Sequence, residues 1–139
     1  MSLAKIDGCG CGSDSENKVT LVFPCSGASN VGQITNELAL QMTRDGLGSM
    51  SCLAGVGAHI SGFVVSAKDC DQLVVLDGCQ QKCAAKVFEH VSVKPHVYLM
   101  LTDHGFTKRH GVPVLPEEVG RARELVVLQM KGSACSTAS

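Results

Sequence analysis

Aromatic side chains are scarce in this sequence, at 4%, and neither sign of charge prevails: Lys+Arg 12 stand against Asp+Glu 13, a formal net charge of -1. With no basic stripe and no stacking platform, the composition argues against a nucleic-acid partner. Long apolar runs are missing too. The longest, such as Val97 to Leu101 and Leu125 to Leu128, have the length of a strand or a helix face, and the N-terminus lacks the apolar core of a signal peptide. The expectation is a cytoplasmic protein with no membrane contact. What the chain does have is 45% hydrophobic residues in 139, enough for one domain around a single core, and eight cysteines. Without a secretory signal, that many cysteines point to metal or thiol chemistry rather than to a disulfide frame.

The stretch from Leu73 to Cys83 organises the rest. Leu73 to Leu76 are continuously apolar, as a strand covered on both faces of a parallel sheet must be. Asp77 and Gly78 form a turn. A helix starting near Cys79 would set Cys79 and Cys83 one turn apart on one face, with both sulfurs near the helix N-terminus, where backbone N–H groups and the dipole favour thiolates.

Around it, strand and helix patterns alternate. Residues 1–17, with Cys9 and Cys11 among glycines, read as a flexible arm, 18–131 as one α/β domain, and 132–139, with Cys135, as a flexible tail. The arm's Cys-x-Cys could chelate a metal or pair with Cys135; the alternative is an unstructured tail whose cysteines happen to be close. Val19 to Pro24 form a first strand. The small-residue loop Cys25 to Ser29 leads into a helix capped by Ser29 or Asn30, with Ile34, Leu38 and Met42 on one face. Strand, Gly/Ser loop and helix suit an anion site at Ser26, Gly27, Ser29 and Asn30; the alternative is a plain, closely packed connection. A short second strand ends near Cys52, and Val56 to Ser66 stay open between loop and helical turn. His59 lies there, a candidate ligand or base beside the plainer reading of a packed or solvated side chain. Cys70, before the third strand, belongs at the opposite end of the sheet from Cys79. His96 to Leu101 form a fourth strand, which places Asp103 and His104 at its carboxyl edge, followed by the positive group Lys108, Arg109 and His110. The last helix opens with Glu117-Glu118 and turns Val119, Ala122, Val126 and Met130 to the sheet.

This alternation implies a single three-layer α/β domain with a mainly parallel sheet of about four strands, Rossmann-like or flavodoxin-like. Cys25, Cys52 and Cys79 then converge at the carboxyl ends of successive strands, and Cys83 brings a fourth sulfur. Four thiolates suit tetrahedral zinc, and three with one standing off would leave an open position. Asp77, His59, Asp103 and His104 are auxiliary candidates, and a small anionic ligand is a conceivable partner beside the metal ion. The competing readings are a phosphocysteine carrier or thiol enzyme using Cys25, and a redox pair at Cys79 and Cys83. A Cys-x5-Arg phosphatase loop is absent, since Val31 stands six residues after Cys25.

Phe23-Pro24-Cys25-Ser26-Gly27, Asn30-Val31-Gly32-Gln33, Met50-Ser51-Cys52-Leu53-Ala54-Gly55 and Leu76-Asp77-Gly78-Cys79 with Cys83 together resemble the DGC-domain proteins, named for the Asp-Gly-Cys motif. The resemblance spans about residues 18–128. It implies zinc binding through Cys25, Cys52, Cys79 and Cys83, with no established reaction or substrate.

Overall fold

The computed structural model of the chain describes residues 18–138, with side chains through Ser133. The expected arm at residues 1–17, with Cys9 and Cys11, lies outside the described residues, as does the Cys135 side chain. Among the described residues, four strands form one sheet: β1 (Thr20–Pro24), β2 (Ser49–Met50), β3 (Gln72–Asp77) and β4 (Val97–Met100). All pairs are parallel, in the order β2-β1-β3-β4. The same order opens the flavodoxin-like winding, in which the chain turns back on itself between its first and third strands.

Helices cover both faces. On one, α1 (Asn30–Arg44) and α5 (Pro116–Ala138) pack against Val22, Val74, Leu76, Val97 and Leu99. On the other, α2 (Leu53–Gly57), α3 (Ser61–Asp69) and α4 (Cys83–His90) cover Phe23, Leu73 and Val75. The alternation along β1 and β3 follows from the pleat, which sends successive side chains to opposite faces. Because β3 is central and covered on both sides, all six of its residues are buried, and this is why Leu73 to Leu76 read as an unbroken apolar run. Phe23 and Phe88 fix α4 to the sheet with ring centroids 5.0 Å apart, edge to face.

The structure corrects one sequence expectation and adds detail to two others. The helix after β3 begins at Cys83, not Cys79: residues 79–82 form a turn in which Lys82 is left-handed, with φ 57°. Cys79 and Cys83 therefore do not share a helix face. The cause is Asp77, whose carboxylate accepts Ala84 N–H at 2.8 Å and Ala85 N–H at 2.9 Å, capping α4 from the end of the preceding strand. Second, the stretch left open from Val56 to Ser66 takes the helical alternative: it holds the end of α2, a turn and the start of α3, with Ile60 at the α3 N-cap position. Third, the backbone of 132–138 continues α5. Extending an existing helix adds a hydrogen bond per residue, and Ser133 Oγ–H anchors this part by donating to the His96 carbonyl at 3.3 Å.

Candidate functional site: a cysteine-lined cavity

From β1 the chain crosses to β2 on one side and returns to β3 on the other, which opens a crevice between the carboxyl ends of β1 and β3. Cys25 follows β1 and Cys79 follows β3. Their backbones are tied together: Cys25 N–H donates to the Leu76 carbonyl at 2.9 Å, continuing the ladder past Pro24. Into this crevice opens a cavity of about 150 Å³ whose lining includes Cys25, Cys79, Cys83, Lys82, Lys108 and His110. Cys52 lies in an adjoining hollow that it shares with Cys25.

Each member of the Asp-Gly-Cys motif has a distinct physical task. Asp77, only 1% exposed, caps α4 and also accepts the Tyr98 hydroxyl at 2.9 Å. Burial first, and then this bond to Asp77, hold the Tyr98 hydroxyl far above the usual phenol range. Gly78 lets the first turn of α1 approach: a Cβ there would stand 2.7 Å from the Val31 carbonyl carbon and 2.8 Å from Gly32 N. Cys79 then faces the cavity, with Lys108 Nζ at 3.4 Å from its sulfur.

Two more of the candidate thiols are held in other contacts. Cys25 Sγ lies 3.5 Å from Thr35 Oγ1, and Cys52 caps α2 by accepting Gly55 N–H at 3.3 Å. Among the described residues, no three His, Cys, Asp or Glu side chains are gathered where they could hold one metal ion. The donor chemistry nevertheless suits a thiophilic ion. The cavity is lined by sulfur, and its one carboxylate among the described residues, Asp77, is already engaged by Ala84, Ala85 and Tyr98. Drawing the thiols onto an ion requires side-chain rotation out of these contacts.

The loop after β1 is held mostly by its own bonds. Ser29 caps α1 by accepting Gly32 N–H at 3.3 Å, Ser26 Oγ–H donates to Asn36 Oδ1 at 2.7 Å, and Gln33 Nε2–H donates to the Gly27 carbonyl at 2.8 Å. Gly27 and Ser29 line the cavity. Asn30 has a different task from the cap considered for it. Buried at the start of α1, its Nδ2–H donates to the Thr107 carbonyl at 2.9 Å, its Oδ1 accepts Arg109 N–H, and its own N–H donates to the Arg109 carbonyl at 2.9 Å. This clamp sets Lys108 between its two anchor points and so aims the ammonium at Cys79.

Asp103 and His104 lie in a 3-10 turn (Leu101–His104) after β4 and do not line the cysteine cavity. His59 is not part of it either; it meets His90 beyond the end of α2. Cys70 is buried at the far end of the sheet and donates its S–H to the Ala67 carbonyl at 3.3 Å. Burial raises its pKa, so this thiol stays protonated where ordinary thiols begin to ionise. Iodoacetamide at about pH 8, followed by peptide mass spectrometry, should therefore modify the exposed Cys52 and Cys83 at least ~10-fold faster than Cys70. Equal rates would contradict this placement of Cys70. Lys82 and the Asn30 clamp were not evident from the sequence, because Lys82 faces the cavity only through a left-handed turn and the clamp joins residues 77 to 79 positions apart.

Fold and site together define a parallel α/β domain with a cysteine-lined cavity at its switch point. The family model of the DGC domain matches residues 21–126, and the chain belongs to that family. It is 40% identical over 96 residues to the "Anaerobic and virulence modulator AnvM" of Pseudomonas aeruginosa, an alignment covering 69% of this chain and 73% of that protein. No solved structure matches the chain. Among the described residues, no helix is long and apolar enough to cross a membrane.

Proposed function

We propose that this DGC-domain protein binds zinc through the thiols at its switch point, with Cys25, Cys79 and Cys83 as the central ligands and Cys52 as the fourth. The observation that carries this reading is that Cys25 from the end of β1 and Cys79 and Cys83 from beyond β3 line one small cavity in which the only carboxylate among the described residues is already engaged. A sulfur-rich shell around zinc carries net negative charge, and Lys82 and Lys108 in the lining supply balancing positive charge around it. With all four thiolates the site would tie strand ends together; with three it would keep a position for water or a substrate.

Thiol chemistry is a second reading, favoured by the single contact between Lys108 and Cys79. In that case a positive charge stands ready beside a nucleophilic sulfur, and the basic lining receives a small anionic ligand.

Zinc competition against a chromophoric chelator, in reduced protein, separates the two readings. On the zinc reading, Cys25→Ser, Cys79→Ser and Cys83→Ser each weaken binding at least ~100-fold, and Cys70→Ala leaves it unchanged. Equal affinity across the series, or no zinc taken up, would overturn it in favour of the thiol reading.

A further inference from the structure

A second constellation of metal-ligating side chains lies away from the cysteine cavity. Helices α2 and α4 pack side by side on one face of the sheet. Cys52 caps the first and Cys83 opens the second, and each is followed seven residues later by a histidine, His59 and His90. Both helices run the same way from the carboxyl edge, so the histidines meet at the other end. His59 Nε2 and His90 Nδ1 share a hydrogen bond at 3.1 Å, with the rings crossed at 84° and their centroids 5.0 Å apart; an ion between them would take the place of the shared proton.

We propose that His59 and His90 form a labile site for a divalent transition-metal ion, distinct from the thiol site. Two imidazole nitrogens bound to one first-row ion at about 2.0–2.1 Å, with an angle between them of roughly 90–109°, stand about 2.9–3.4 Å apart, a range that includes the observed separation. Crossed rings keep the two imidazoles clear of each other when both lone pairs turn to one ion. Both side chains are exposed, and among the described residues no third His, Cys, Asp or Glu is gathered with them, so the other positions go to water. Such a shell suits zinc, nickel or copper rather than calcium or magnesium, and it exchanges readily. His90 ends α4, where the negative end of the helix favours positive charge.

The backbone adds an independent observation. His59 has φ 60°, a left-handed conformation unfavourable for a residue with a Cβ. It is held there by His59 N–H on the Val56 carbonyl at 2.9 Å and by Ile60 N–H on the Gly55 carbonyl at 3.0 Å. A glycine would relieve that strain, and the imidazole is instead kept in register with His90.

The test is a Zn2+ titration of the intact, reduced protein, followed through histidine side-chain 1H–15N spectra so that each imidazole is read separately from the thiols. The His59 and His90 signals should shift together and saturate, while those of His104 stay in place. His59→Asn, which tolerates the left-handed backbone, and His90→Gln should each weaken the transition at the remaining histidine at least ~10-fold. Unmoved His59 and His90 signals at millimolar zinc, unchanged affinity in the variants, or His104 moving in parallel would each overturn the proposal.

Discussion

Replacing Asp77 with Ala should destabilise the protein by about 3 kcal/mol and lower the Tm by roughly 10 °C in thermal unfolding. The carboxylate is buried, caps α4 through Ala84 and Ala85, and accepts the Tyr98 hydroxyl. Its removal leaves three donors without an acceptor in a place where water enters poorly. Loss of a cap alone costs about 1 kcal/mol, and each stranded buried donor adds to it. Asp77→Asn should cost less, about 1–2 kcal/mol, because the amide oxygen still accepts one N–H while the NH2 opposes another. Tyr98→Phe removes one hydroxyl whose partner keeps two other bonds, and should cost no more than about 1 kcal/mol. An Asp77→Ala variant as stable as the parent would show that the carboxylate does not hold α4. Because α4 begins at Cys83 and the turn before it carries Lys82, the same substitution should also weaken the proposed zinc binding.

Gly78→Ala should be of similar size, about 3 kcal/mol by denaturant unfolding. The new Cβ would stand 2.7 Å from the Val31 carbonyl carbon, 2.8 Å from Gly32 N and 2.9 Å from Val31 Cγ2. Two of these are backbone atoms in the first turn of α1, so a side-chain rotation does not relieve the clash. Either β3 and α1 separate or the turn carrying Cys79 moves, and both disturb the cavity. Gly120→Ala is the matching control. It lies inside α5 with nothing within 4 Å of the added carbon, and should be neutral or stabilising by up to about 1 kcal/mol. Equal effects at the two positions would remove the close approach of α1 as the reason for the motif glycine.

How much of this was legible in the sequence depended on how locally each feature is determined. The apolar run at β3 gave away a central, doubly covered strand, since burial on both faces leaves no polar alternation. The cap of α1 was narrowed to two residues, of which the hydroxyl of Ser29 makes the bond. The start of α4 was misplaced because helical spacing continues back to Cys79, while the decision rests on a carboxylate before the turn and on the left-handed Lys82. The Asn30 clamp could not be found from pattern at all: Asn30 also fits a helix start, and its partners at 107–109 come near only once β4 and the following loop are in place. The pairing of His59 with His90 had the same obstacle, although the equal spacing of each from a cysteine was visible in the sequence as a clue. Cysteines at strand ends were readable because parallel βα units place their connecting turns at one edge, whereas side-chain directions within that edge are set by packing.

X-ray absorption at the zinc edge, on reduced protein loaded with one equivalent of zinc, tests the central claim most directly. Three or four sulfur neighbours at about 2.3 Å, falling by one in Cys79→Ser, would place the ion among the switch-point thiols. A shell of nitrogen and oxygen only, unchanged in Cys25→Ser, Cys79→Ser and Cys83→Ser, would contradict it.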